Sequence, residues 1–274
     1  MAGHTQILPH SPLVTPHFCL MLLEPHRLRA PAFISRIEYA QSLDSTNDAA
    51  RRLAGEVPQG VGMLVVAEEQ TAGRGRGANK WWTGAGSLAF SVLFDPARYD
   101  IEMRYGGMVP LAAALAIVDV VTRRLGSPSV GIHWPNDVFI GRKKLAGILV
   151  EGLADGRQIV GIGLNVNNSV AAAPPEVSQI AASLCDELGA LVDRTDFLSE
   201  LLEAIDVYFT ALGAERERVA AEADEVCLQK GEPLTIAAGT ETTTGLCAGI
   251  ADDGALILET PEGRKLIYSG VVVK

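Results

Sequence analysis

The sequence predicts a mixed α+β fold: a mostly antiparallel sheet with flanking helices, followed by a small β-barrel. Three observations carry that reading. Strand-like segments between Val130 and Asn165 are joined by Gly141 to Lys143 and by Asp155-Gly156, and connections this short join antiparallel neighbours. Gly107 to Leu125 is apolar at helical spacing and ends in Arg123 and Arg124, cations that suit the negative end of a helix. After Asp224 the pattern changes to short strands cut by Gly and Asp turns, notably Asp252-Asp253-Gly254, as in a small all-β unit.

The elements follow in order. Residues 1–32 read as a loose extension: five prolines interrupt them, and no Lys or Arg precedes Arg27. The apolar patch Phe18 to Leu23 is too short for a secretory core, and Met21 is an alternative start. A large domain over 33–225 then runs strand 33–40, short helix 46–54, strand 63–68, a glycine-rich loop, strand 87–94 and the long core helix. Strands 130–134, 138–140, 144–151 and 158–165 follow, then a helix over 197–212 continuing to 223. Residues 226–274 form the barrel, with strands at 233–237, 243–250, 255–258, 264–268 and 271–273.

Composition bounds the function. A chain of 274 residues, 48% hydrophobic and 20% charged, is large enough to bury a substantial core. With 23 Lys and Arg against 33 Asp and Glu, its net charge of −10 repels polyanions and anionic lipid surfaces, so neither nucleic acid nor membrane is an expected partner. No apolar run approaches the roughly 20 residues of a membrane span. Cys19, Cys185, Cys227 and Cys247 lack metal-ligand spacing, which fits reduced thiols in the cytoplasm.

Several segments carry chemistry. Alternating glycines in Gly73-Arg74-Gly75-Arg76-Gly77 let backbone N–H groups approach an anion, while the two arginines supply forked donors for phosphate or carboxylate. Neither a Walker loop nor a dinucleotide fingerprint fits, because no Gly-Lys-Ser/Thr follows and the next element is a strand. A flexible surface loop or an arginine-glycine nucleic-acid segment is the plainer alternative, against which stand the net charge and the apolar Trp81-Trp82 pair. Trp134-Pro135-Asn136-Asp137 marks a corner between strands, and Lys144 starts the return strand, with Ala146 and Gly147 leaving room beside the backbone. Ser45-Thr46-Asn47-Asp48 reads as a capping box, compatible with holding a ligand's polar head at the helix N-terminus. Gln70 offers a donor and an acceptor on one plane, as a cyclic urea or amide requires. Gly161 to Asn167 ends a buried strand in glycines and amides. No Ser, His and Asp arrangement suggests a triad, and His133 reads as a strand residue.

In this order and spacing STN, EQTAGRGRG with its following Trp, WPND, KLAGIL and GIGLN resemble the biotin protein ligase family, over Phe33 to Lys274. The resemblance implies a catalytic domain related to class II aminoacyl-tRNA synthetases and lipoate ligases, followed by an SH3-like barrel. It implies the activity of a biotin–[acetyl-CoA-carboxylase] ligase, with biotin, ATP and Mg2+ and no dedicated protein cage for the metal. The partner it implies is a biotin carboxyl carrier domain; a homodimer stays open. By the same resemblance Ser45, Thr46, Asn47 and Gln70 hold the biotin head, and Arg74, Gly75 and Arg76 line its tail. Lys144 bridges carboxylate and α-phosphate, with Asp137 orienting it or easing deprotonation of the incoming lysine; Gly73, Arg74, Arg76, Trp81 and Asn165 serve the adenylate. Residues 73–79 would close as a lid. The chain departs from the family pattern at Gly77-Ala78-Asn79, where relatives carry further arginine, and at His133, where many have Lys. A fused helix-turn-helix repressor would need about 60 residues before the catalytic domain. A lipoate or octanoate ligase shares the scaffold, but its acyl chains have no ureido ring for Gln70 to recognise.

Overall fold

Strand alternation decides how the main sheet is covered. In the strand Gly62–Gln70, Leu64 and Val66 enter one apolar layer while Met63 and Val65 enter another, the period-2 signature of a strand buried on both faces. The computed structural model describes residues 22–126 and 129–273; the expectations for Met21, Cys19 and the rest of 1–21 lie outside these. The main sheet contains β1 (Ile34–Leu43), β2 (Gly62–Gln70), β3 (Leu88–Phe94), β4 (Val130–His133), β5 (Asp137–Ile140), β6 (Lys143–Gly152) and β7 (Gln158–Leu164), in the order β1-β2-β3-β7-β6-β5-β4. Only β1 and β2 pair in parallel, joined through the short helix α1 (Thr46–Leu53), and every other neighbour is antiparallel. The expected mixed, mostly antiparallel sheet is therefore present.

Helix α2 (Val109–Leu125) packs on one face. Its apolar positions are buried almost all round, and it ends at Gly126 in the left-handed conformation with φ +61°, a C-terminal stop that glycine adopts without Cβ strain. With the preceding helical turn, the segment Met103–Leu125 is long and apolar enough to cross a membrane by length and composition, contrary to the expectation that no such run exists. It is mostly buried in the protein, against α3 (Arg194–Ala214) and the sheet. The helix expected to continue to Ala223 breaks at Glu215, whose φ of −138° is not helical, and resumes as α4 (Arg216–Glu225). The opposite face of the sheet carries α1, whose Ala49 and Ala50 sit on Met63, Val65, Leu93 and Ile159.

The second sheet contains β8 (Pro233–Ala238), β9 (Glu241–Ile250), β10 (Leu256–Thr260), β11 (Gly263–Ile267) and β12 (Val271–Val273), in the order β11-β10-β9-β8-β12, all antiparallel. Buried Trp134 ties it to the main sheet, donating from its indole Nε1 to the Gly254 carbonyl at 3.0 Å.

The expectation of a loose extension up to residue 32 is corrected for residues 22–32. Leu23 is buried and its N–H donates to Glu68 Oε1 at 2.8 Å. Arg27 pairs with Asp193 at 2.7 Å, and the Arg29 N–H donates to Ser199 Oγ at 3.0 Å. The prolines set a path over the surface of α3 rather than freedom.

Candidate active site

Register builds the site. Pairing across β5, β6, β7 and β3 aligns Asp137, Gly147, Gly163 and Ala89 in one row, and Leu149, Gly161 and Ser91 lie in the next. Residues opposite one another share a face. The first row is nearly bare of side chains, so the sheet has a trough on the face that carries α1. Trp81 lies in this trough, where a Cβ at Gly163 would run into its indole and one at Gly147 would stand 3.2 Å from it. The space expected beside Gly147 is thus taken by Trp81 and by the Lys144 side chain.

Lys144 reaches the same face through an irregularity. Val138 pairs with Ala146 but Phe139 pairs with Lys144, leaving Leu145 as an extra residue. Such a bulge inverts the alternation beyond it. Lys144 therefore joins Asp137 and Gly147 on the trough face, while Leu145 and Ala146 are buried. Its Nζ lies 2.7 Å from Asp137 Oδ2 and 5.7 Å from the Trp81 ring centroid. The other carboxylate oxygen, Asp137 Oδ1, is buried without a hydrogen-bond partner, as is Trp81 Nε1.

The glycine loop folds back over the trough as a small hairpin. The Gly75 N–H donates to the Asn79 carbonyl at 2.8 Å, the Trp81 N–H to Gly73 at 3.0 Å, and Gly77 takes φ +63°, which glycine tolerates. Arg76 donates to Asn136 Oδ1 at 3.2 Å and to the Gly270 carbonyl at 3.1 Å. Arg74 is engaged by carboxylates, with Asp48 at 2.7 Å and Glu151 at 2.8 Å. Burial pushes the Glu151 carboxyl up, but hydrogen bonds from Arg74 and Asn47, with the charges of Arg74 and Arg51, outweigh this and hold it below the usual range.

At the far end stand the residues expected to bind a polar head. Ser45, Thr46 and Asn47 are all buried at the start of α1. The expected capping box does not form: the Ser45 side chain makes no cap hydrogen bond, and Asp48 turns to Arg74. The Ser45 N–H donates to Asp44 Oδ1 at 2.8 Å instead, and Gln70 Oε1 accepts from the Thr46 N–H at 2.8 Å and hydroxyl at 3.1 Å.

Together these groups surround an open cavity of about 220 Å³. Ser45, Thr46, Asn47, Gln70, Arg74, Gly75, Arg76, Trp81, Asp137 and Lys144 all line it. Gly73 and Asn165 do not. Gly73 sits against the Trp81 carbonyl, and Asn165 is buried behind β6, donating to the Ala182 carbonyl at 2.9 Å and accepting from Asn168 at 2.8 Å. His133 is stacked on Phe139 at 4.7 Å as a strand residue, on the cavity wall.

Residues 39–167 match the family described as "Biotin/lipoate A/B protein ligase family", and 231–274 match "Biotin protein ligase C terminal domain". The biotin–[acetyl-CoA-carboxylase] ligase of Paracoccus denitrificans is 34% identical over 84% of this chain and 96% of its own length. The chain belongs to the biotin protein ligase family. The bifunctional ligase/repressor BirA of Bacillus subtilis is also 34% identical, over 84% of this chain and 71% of that protein. Among solved structures, the biotin protein ligase of Aquifex aeolicus in complex with biotin and ATP superposes with a TM-score of 0.76 at 29% identity, covering 88% of this chain and 98% of that one.

Sequence reasoning missed several residues of this family member's site. Gly270, Val271 and Val272, at the start of β12, form part of the cavity wall. Asn136 grips Arg76 with Oδ1 while its Nδ2 donates to the Ile148 carbonyl at 2.6 Å. Ser91 and Glu151 stand behind the head-group residues. The only sequence signal for Ser91 and Glu151 is a polar residue within an otherwise apolar strand.

Proposed function

We propose that this ligase joins biotin and ATP into biotinyl-5′-adenylate, releasing pyrophosphate, and then passes the biotinyl group to one lysine of a carboxyl carrier domain, releasing AMP. The observation that carries this reading is one cavity lined both by the hydrogen-bonding groups Ser45, Thr46 and Gln70 and by the cations Lys144 and Arg76. Between them runs the glycine row of β6 and β7.

In the first step a biotin carboxylate oxygen attacks the α-phosphorus and the bond to pyrophosphate breaks. Two anions must meet, so fixed cations lower the barrier. The Lys144 ammonium is held on the trough face for that task by Asp137. Arg76 enters when its two neutral partners, Asn136 and the Gly270 carbonyl, are exchanged for phosphate oxygens. Magnesium bound with the nucleotide would supply further positive charge to the phosphates in this step. In the second step the carrier amine attacks the acyl carbon and AMP leaves. Asp137, in the cavity wall beside Lys144, is the carboxylate that orients Lys144 or eases loss of the amine's proton.

The same reading puts the protein in the cytoplasm, with Cys185, Cys227 and Cys247 as thiols. It includes no nucleic-acid or membrane partner and leaves a homodimer open. The decisive experiment incubates the protein and a carrier domain with ATP, magnesium and either biotin or lipoate, and reads the intact mass of the carrier. A biotinyl increment is expected; a lipoyl increment alone would reassign the substrate.

Arg76 gives a second expectation. Arg76→Gly should still make adenylate but release it, because the loop loses the side chain that spans from the hairpin to Asn136 and Gly270. A free acyl adenylate acylates exposed lysines at random, so bystander proteins in the same tube should become biotinylated. Labelling confined to the carrier, with adenylate still formed, would remove the retention role.

A further inference from the structure

We infer that Glu151 is a positioning residue for the head-group end of the cavity, fixing which of its groups donate and which accept hydrogen bonds; this rests on the biotin ligase reading. Glu151 is itself outside the cavity lining, with its side chain about one-fifth exposed. It accepts from Asn47 Nδ2 at 2.7 Å, and the Leu149 carbonyl lies 3.3 Å from the same nitrogen. Carboxylate and carbonyl only accept, so the Asn47 amide must turn its NH2 group toward them. Its Oδ1 then faces Ser91, whose hydroxyl lies 2.6 Å away.

The constraint passes onward. An amide oxygen has no proton, so the single proton of Ser91 goes to Asn47. The Ser91 hydroxyl then has no proton left for Thr46 Oγ1, 2.8 Å away. The Thr46 hydroxyl donates to Gln70 Oε1 at 3.1 Å, and the Thr46 N–H, which donates to the same oxygen, holds Gln70 with its Nε2 toward Thr83. One acceptor-only carboxylate at the root therefore sets the direction of Asn47 and Ser91, while the Thr46 N–H sets that of Gln70. A cyclic urea presents one carbonyl and two N–H groups, so a pocket with one settled polarity binds it better than one sharing its population between two. Glycine at 161 is part of this device, since a Cβ there would run into the Asn47 carboxamide.

Glu151 also receives Arg74 on both oxygens, at 3.1 and 2.8 Å. Asp48 binds Arg74 as well but has no hydrogen bond to Asn47 among those described, and so separates the two roles. Titration calorimetry of biotin alone on the full chain, with steady-state KM for biotin and ATP, tests the inference. Glu151→Gln keeps the shape but adds an NH2 group able to face Asn47 and let its amide turn over. Biotin affinity should fall about tenfold, the size of one charge-assisted hydrogen bond, with the KM for ATP within twofold. Asp48→Asn should change biotin affinity less than threefold. Ser91→Ala takes from Asn47 Oδ1 the hydroxyl that donates to it and should also lower biotin affinity several-fold, which keeps the test decisive if Glu151→Gln does not fold. Unchanged affinity in Glu151→Gln or, where that variant does not fold, in Ser91→Ala would overturn the inference, as would an equal loss in Asp48→Asn. A wild-type protein that takes up no biotin would overturn the ligase reading itself, an outcome distinguishable because only then is the wild-type trace flat.

Discussion

Lys144→Ala is expected to slow adenylate formation by roughly 10² to 10³, the usual loss when one preorganised charge stabiliser is removed. The size follows from how the ammonium is held. A bulge at Leu145 turns Lys144 onto the trough face, Asp137 bonds it at 2.7 Å, and the Trp81 ring stands beside it. The other cations of the cavity wall are placed differently: Arg74 is committed to Asp48 and Glu151, Arg76 to Asn136 and Gly270, and Lys80 is exposed on the loop. The variant also leaves Asp137 without its cation, an anion facing an incoming anion. Biotin binding should weaken too. Pyrophosphate release at saturating biotin and ATP is the measurement, and a wild-type rate in the variant would take Lys144 out of the chemistry.

Arg194→Met should lower stability by about 3–5 kcal/mol, the cost of stripping a buried ion pair of one partner. Arg194 and Glu68 are both largely buried, with Nη2 2.6 Å from Oε2, and Nη1 donates to the Ser87 carbonyl at 2.6 Å. Glu68 further accepts from Tyr39 and from the Leu23 N–H, so the orphaned carboxylate would sit among groups arranged for an anion that has lost its cation. Denaturant unfolding monitored by fluorescence reads the loss. Adding Glu68→Gln should return part of it, because the uncompensated charge is then gone; no recovery in the double variant would mean that the ion pair is not the source. Residues 22–32 hang on the same carboxylate, so limited proteolysis there should accelerate in the single variant.

The layers of the fold were legible because alternation and loop length are local properties. Gly141 to Lys143 could only make a hairpin, and the apolar helix before Gly126 could only be core. The parts that escaped depend on partners distant in the chain. A capping box at Ser45 is sound locally, yet Arg74 from the glycine loop draws Asp48 away and the Ser45 N–H turns to Asp44. Lys144 could be singled out by type, but its side of the sheet depends on a one-residue bulge that no alternation rule foresees. The resemblance put Asn165 beside the adenylate, while in the structure its amide donates to the buried Ala182 carbonyl, a partner 17 residues on. Prolines before residue 32 suggested looseness, while Leu23 and Arg27 carried the contacts that anchor the segment.

The wall supplied by Gly270 to Val272 has a consequence for how the protein comes into being. Synthesis runs from the amino end, so Ser45, the glycine loop and Lys144 leave the ribosome long before the backbone carbonyl that Arg76 grips. A nascent chain can complete the main sheet and still lack one side of its cavity. Closing the pocket is therefore tied to the last strand described, and a reactive anhydride has no finished enclosure until translation has passed it.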